Sequence, residues 1–238
     1  MGRRDMSVFA ISDLHLALGI NKPMDIFGER WTDYMSRIEN NWRNTVTSGD
    51  LVLVPGDISW ATYLEESYRD FSLIHRLPGI KIISKGNHDY WWTTAAKLKK
   101  FTEENGFDSI LFLHNNSYNM NGISICGTRG WKNPGDEDFT DADLKIYYRE
   151  LSRLEISLKS AKSYPPGTLV VAMHYPPFNA NGEPTEFVSL MKAYGVDICI
   201  YGHLHGEAVK KAVTGNIDGI DFYLVSSDYL KFSPERIL

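Results

Sequence analysis

Five short runs of the chain are apolar at almost every position: "SVFAI" (7–11), "LVLV" (51–54), "IKII" (80–83), "LVVAM" (169–173) and "VDICIY" (196–201). Near-continuous apolarity over so few residues suits strands covered on both faces. Between these runs the period changes. Over about 30–48, Trp31, Tyr34, Met35, Ile38 and Trp42 recur at three- and four-residue spacing, which predicts a helix with one apolar stripe. The stretches at about 59–77, 93–105 and 184–195 also read as helices. Strands alternating with helices predict a layered α/β domain.

The later part of the chain differs. "GEAVKKAVTG" (206–215) and "GIDFYLVSS" (219–227) read as strands joined by the Gly-Asn and Asp-Gly turn signals of 215–219, a hairpin. With "SILFLH" (109–114) and "MNGISICGT" (120–128) they predict a second, partly antiparallel sheet packed on the first. Residues 129–165 interrupt this rhythm with a turn-rich acidic loop followed by a long helix at about 141–163. Asp136, Glu137, Asp138, Asp141 and Asp143 are expected to be solvated charges near a helix N-terminus rather than a metal site. With no internal repeat or linker, residues 1–238 are expected to form one domain with a loop-helix insertion at about 129–165. Such an insertion is expected to form a lid or wall beside any site on the sheet, the alternative being a structural helix packed elsewhere.

Composition narrows the class. At 43% hydrophobic and 13% aromatic residues, a chain of 238 residues can bury a large core, which excludes disorder. The formal net charge of -5 argues against general nucleic-acid binding but leaves room for a small phosphorylated substrate. The two cysteines, Cys126 and Cys199, both fall inside apolar runs and are too few for a disulfide framework or thiolate zinc site. They are expected to be buried thiols in a reducing compartment. The apolar run after Arg3-Arg4 is broken by Asp13 and His15, so no signal peptide is expected, and Met6 stands where myristoylation needs Ser or Thr. No stretch approaches the ~20 apolar residues of a membrane span. The expectation is a cytoplasmic protein without membrane contact.

Each strand run leads directly into side chains able to bind metal: Asp13-Leu14-His15, then Asp57, then Asn87-His88-Asp89, then His174, then His203-Leu204-His205. In an open α/β sheet, ligands sit outside the carboxyl ends of the strands, so the five groups are expected on one rim. Five of the seven histidines occupy these positions; His75 and His114 are expected on a helix surface and in a loop. Imidazole and carboxylate donors without thiolate suit Mn, Fe, Zn or Co, and there are too many for one tetrahedral ion. Two divalent ions ~3.5–4 Å apart would use them, with a net charge that favours an anion.

The ordered set Asp13-x-His15, Gly56-Asp57, Gly86-Asn87-His88-Asp89, His174 and Gly202-His203-x-His205 resembles the calcineurin-like metallophosphoesterase superfamily over most of the chain. The resemblance implies a two-sheet β-sandwich flanked by helices in four αββα layers, a binuclear centre and phosphoester hydrolysis. It implies that Asp13, His15 and His205 hold one metal, that Asn87, His174 and His203 hold the other, and that Asp57 bridges them. His88 then faces the substrate to stabilise or protonate the leaving oxygen, with Asp89 orienting its ring.

Protein phosphatases of the superfamily carry further Asp and Arg residues where this chain reads "GDISWA" and "SKGNHD". Smaller phosphomonoesters, phosphodiesters or nucleotides are therefore expected as substrates. Lys85 suits either the place of the missing Arg or, as the preferred expectation, a solvent-exposed position before a turn. Tyr90, Trp91 and Trp92 suit either stacking on a substrate or core packing, and Arg129 either a phosphate contact or an ion pair with the acidic loop. A scaffold that keeps the fold without turnover is the alternative function; the presence of His88 favours the enzyme.

Overall fold

The computed structural model describes residues 6–22, 24, 26 and 28–238. Met1-Gly2 and the pair Arg3-Arg4 lie outside the described residues. Four parallel strands run side by side: β1 (Val8–Ala10), β2 (Leu51–Pro55), β3 (Ile80–Ser84) and β4 (Ile110–Phe112). The second sheet contains β5 (Tyr118–Met120), β6 (Ile123–Thr128), β7 (Thr168–Met173), β8 (Ile198–Tyr201), β9 (Gly215–Ile217) and β10 (Ile220–Leu224). Its order is β5-β6-β7-β8-β10-β9, parallel from β6 through β10 with antiparallel β5 and β9 at its edges. After β10 the chain crosses back, and β11 (Glu235–Arg236) pairs antiparallel with β1.

The apolar runs are divided by the pleat between two environments. Val8, Ala10, Leu51, Leu53 and Ile82 meet Ile125, Val170, Ala172, Ile198 and Ile200 in a core between the sheets. Phe9, Ile11, Val52, Val54 and Ile83 point the other way, against α1 (Tyr34–Thr45), α2 (Tyr68–Arg76) and α3 (Ala95–Glu104). The predicted stripe of Trp31, Tyr34, Ile38 and Trp42 is buried there. On the far side, Cys126, Val171, Met173, Cys199 and Tyr201 pack on α4 (Asp141–Ala161) and α5 (Glu186–Tyr194). Each fully buried aliphatic side chain is worth ~1.5–3 kcal/mol relative to exposure, so these three clusters dominate the stability of the four αββα layers.

The polar exception in "IKII" has its own explanation. Lys81 is fully buried, and its Nζ donates to the carbonyls of Leu77 (2.7 Å) and Gly79 (2.8 Å), the segment leading out of α2. α4 starts where Thr140 and Asp143 form a reciprocal cap, worth about 1 kcal/mol, and Asp141 lies in the same first turn, so two of the five acidic residues sit at the helix N-terminus as expected.

Three expectations are corrected. The five ligand-bearing runs do not share one open sheet: β1, β2 and β3 belong to one sheet, β7 and β8 to the other. "SILFLH" supplies β4 of the first sheet, because it pairs in parallel with β3. "GEAVKKAVTG" is not a strand over its length; Gly206–Lys211 is a 3-10 helix, and only Gly215–Ile217 forms the hairpin with β10. Among the described residues no helix is long and apolar enough to cross a membrane.

Candidate metal centre

The two sheets meet at their carboxyl ends. Beyond β1 and β10, Ser12 pairs in parallel with Ser226, its N–H donating to the Val225 carbonyl at 2.7 Å. That junction brings the strand-end residues of both sheets together. Asp13 (φ 58°), His15 (φ 45°), Asp57 (φ 53°) and His203 (φ 71°) all adopt left-handed backbone, which L-residues avoid unless their surroundings fix it. Here they do: Asp13 N donates to the Gly56 carbonyl and His15 N to the Asp57 carbonyl, each at 3.0 Å, while His203 N donates to Asp13 Oδ2 at 3.1 Å. Close approach dictates two glycines. A Cβ at Gly86 would fall on the Asp57 carboxylate, and one at Gly202 on Ser12 and Asp13.

All seven predicted ligands and His88 converge on this rim. Donor atoms of Asp13, His15 and His205 lie within 4.8 Å of one another, as do those of Asp13, Asp57 and His174. His205 Nε2 is 3.3 Å from Asp13 Oδ1. Asp57 Oδ2 lies 3.5 Å from His174 Nε2, 3.8 Å from His15 Nε2 and 4.0 Å from His88 Nε2, while its Oδ1 accepts the His88 N–H at 2.8 Å. Asn87 Oδ1 sits between His174 Nε2 (2.7 Å) and His203 Nδ1 (3.0 Å).

The electrostatics call for cations. Burial drives the imidazoles of His174 and His203 down to pKa values of about 4 and about 3, so both are neutral, and burial holds His15 well below its ordinary value. Burial also raises Asp57 well above the carboxylate range, reinforced by the charges of Asp89 and Asp13. At Asp13 burial works upward too, but His205, His174 and His15 outweigh it and hold the carboxyl far below its usual range. At His205 burial works downward, but Asp13 and Asp228 raise the imidazole to about 10. A proton at His205 thus occupies the place a bound cation would take. The donor set fits divalent metal: His205 Nδ1 donates to Asp228 Oδ1 (2.7 Å) and His174 Nδ1 to the Pro55 carbonyl (3.1 Å), which leaves both Nε2 lone pairs aimed inward. His205 Nε2 is buried without a hydrogen-bond partner.

Asp89 does not orient His88. Its carboxylate is fully buried and accepts from the N–H groups of Asp57 (2.9 Å), Ile58 (2.8 Å) and Gly86 (2.7 Å) and from Trp91 Nε1 (3.1 Å), while His88 Nδ1 has no partner. A carboxylate after "GNH" is needed to tie the β2 and β3 turns together. Trp91 is core, Tyr90 is exposed 6.3 Å from the His88 ring, and Trp92 packs on Phe112 and His114. Arg129 pairs with Glu150 of α4 at 3.4 Å and not with the acidic loop. Lys85 is half-buried, not solvent-exposed. The 129–165 segment divides: α4 packs behind β6, whereas Lys132, Asp136 and Asp138 line a cavity of ≈ 400 Å³ with His203 and Tyr175. A second cavity of ≈ 330 Å³ opens at His88, walled by Trp31, Trp60, His15 and His205.

The family model of calcineurin-like phosphoesterases matches residues 6–207. The chain belongs to the calcineurin-like phosphoesterase family. Two solved structures resemble this phosphoesterase fold. One is the phosphopantetheinyl hydrolase PptH of Mycobacterium tuberculosis (15% identity, TM-score 0.56, covering 98% of this chain and 95% of that one). The other is the protein TT1561 of Thermus thermophilus (11% identity, TM-score 0.52, covering 84% of this chain and 82% of that one). At these identities the likeness concerns the fold alone. A search of curated proteins finds no match to the sequence.

Within this family fold, Asp228 is the site residue that sequence reasoning missed. It is 2% exposed and also accepts the Gly206 N–H at 3.2 Å. It follows a strand that runs parallel to β8, so the same strand-end rule locates it once 219–227 is treated as more than half of a hairpin.

Proposed function

We propose that the protein is a binuclear-metal-dependent phosphoesterase acting on small phosphomonoesters, phosphodiesters or nucleotides. The observation that carries this reading is the position of Asp57 Oδ2, which faces the Nε2 atoms of His174 at 3.5 Å, His15 at 3.8 Å and His88 at 4.0 Å, imidazoles from both sides of the rim. Asp13, His15 and His205 would hold one divalent transition ion, Asn87, His174 and His203 the other, and Asp57 would lie between them. Bound there, Mn, Fe, Zn or Co would supply Lewis acidity toward phosphoryl oxygens and toward water.

The chain's own residues do the rest. His88 reaches solvent, with 37% of its side chain exposed against 29% for His205, and it is not part of either ligand group. Burial, aided by Lys22, lowers its pKa, which makes the imidazolium a stronger acid toward a departing alkoxide and also shrinks the fraction of enzyme that carries the proton at neutral pH. Trp60, 4.7 Å from the His88 ring and 4.8 Å from that of His15, fixes both imidazoles and walls the cavity that would take the leaving group. Tyr175, 4.2 Å from the His203 ring, does the same on the opposite side. A phosphopantetheinyl ester, the kind of compound for which that fold neighbour is named, joins the substrate screen without preference over the others.

The test is metal analysis of the purified protein with a screen of monoesters, diesters and nucleotides. Chelation is expected to abolish turnover and Mn²⁺ to restore it; full activity in metal-free protein overturns the reading. Metal-loaded protein inert on every ester would point to the scaffold instead.

A further inference from the structure

A third cavity, of ≈ 430 Å³, is bordered by the end of β3, by β6 and by α4 and contains none of the candidate ligands. Lys85, Arg129, Arg149 and Arg153 line it, and among the described residues Glu150 is the one carboxylate on its wall. Four fixed cations face a single anion in a protein whose formal net charge is -5. Surface arginines usually spread out or pair with acids one for one, so this imbalance needs a partner.

Glu150 cannot supply the whole of it. Its carboxylate is 1% exposed, accepts the Thr128 hydroxyl at 2.8 Å and Arg153 Nη1 at 2.6 Å, and lies 3.4 Å from Arg129 Nη2. Arg149 reaches it only at 3.9 Å. Glu150 therefore acts as a buried post that splays the guanidinium groups around the cavity. Arg129 is held a second way, its guanidinium 4.3 Å over the Trp131 ring, and its Nε is buried without a hydrogen-bond partner. His114 Nδ1, on the same wall, is likewise buried and unpartnered. Burial lowers the His114 pKa, and the charges of Arg153 and Lys85 lower it further, a sign that the positive field is not neutralised.

The cavity is tied to the metal rim through the backbone. Lys85 leads from β3 into Gly86-Asn87, and the Arg129 carbonyl accepts the N–H groups of His174 (3.1 Å) and Tyr175 (2.9 Å). We infer that the cavity between β3, β6 and α4 is a phosphate-binding site, distinct from the metal centre, in which Arg149, Arg153 and Lys85 hold a tetrahedral oxyanion. The oxyanion is either a second phosphate of the substrate or a separate phosphorylated effector. The site rests on its own geometry; only its role in choosing substrates rests on the proposed phosphoesterase activity.

Inorganic phosphate is the probe, titrated calorimetrically into wild-type protein and Arg149→Gln, before and after chelation, with folding checked by circular dichroism. Arg149 has 54% of its side chain exposed, so the substitution should leave folding intact. A phosphate-binding phase that survives chelation and weakens by roughly tenfold in Arg149→Gln is expected, the scale of one charge-assisted hydrogen bond. Loss of all binding on chelation, or equal affinity in the two proteins, overturns the inference. Crystals soaked in tungstate give an independent reading: anomalous density is expected between Arg149 and Arg153, and density confined to the Asp13–His203 rim overturns it. Kinetics then separates the sources. If the phosphate belongs to the substrate, Arg149→Gln raises KM for bisphosphorylated esters more than for monophosphorylated ones. If it belongs to an effector, added phosphate alters turnover of a monoester in wild type and loses that effect in the variant. A protein that binds phosphate here yet hydrolyses nothing leaves this site standing while removing the proposed activity.

Discussion

The two halves of the rim contain the same kinds of atoms but different charge. On one side Asp13 is itself a carboxylate and His205 is backed by another, since Asp228 accepts from its Nδ1 at 2.7 Å. On the other, Asn87, His174 and His203 are neutral donors, and His174 Nδ1 hydrogen-bonds the neutral Pro55 carbonyl at 3.1 Å, with Asp13 Oδ1 farther off at 3.9 Å. Coulomb attraction to a dication scales with that difference, and a carboxylate behind an imidazole raises its basicity. Under the proposed assignment the halves should therefore differ in metal affinity, and Asp57 is the one group that both share.

Removing the shared group should have the largest effect. Asp57→Asn is expected to lose both ions and to fall to the activity of chelated protein, as read by metal analysis beside turnover; wild-type metal content would refute the bridging role. His88→Ala should leave both halves filled and lower turnover by roughly 10²–10⁴-fold, less on aryl than on alkyl esters because a phenolate departs with little help from a proton. Metal loss in that variant would return His88 to the ligand set. Asp228→Asn should weaken the acid-backed half alone, by about 10–100-fold in metal affinity, so that stepwise chelation releases its ion earlier while the other ion is unmoved. Equal weakening of both ions would abolish the distinction drawn between the halves. The smallest effect is expected from shortening 132–138, which borders the cavity at His203: a change of a few-fold in relative rates on large and small substrates, measured as ratios of kcat/KM.

The rim was legible in the sequence because every contributing strand delivers its polar residue at once, so chain order alone assembled Asp13, His15, Asp57, Asn87, His174, His203 and His205. What stayed hidden was relational. Nothing in "SILFLH" distinguishes a strand beside β3 from one beside β5, since register and partner depend on residues far away. Asp89 carries the same side chain whether it faces an imidazole or a set of backbone N–H groups, and only the approach of the β2 and β3 turns decides between them. Arg129 and Glu150 are 21 residues apart in sequence and paired in the structure, a distance that local patterning does not span. The helix of 141–161, by contrast, is the one expected at about 141–163 with acidic charges near its N-terminus, and it packs behind β6 rather than over the rim.

The pairing of β11 with β1 has a bearing on how the protein is made. Val8, Phe9 and Ala10 are synthesised more than two hundred positions before the strand that covers their outer edge. Throughout that interval the edge presents unpaired backbone groups beside fully apolar side chains, the combination that recruits foreign strands. Until residue 236 has been added β1 remains an uncovered edge, so partly synthesised chains are expected to aggregate more readily than the complete one.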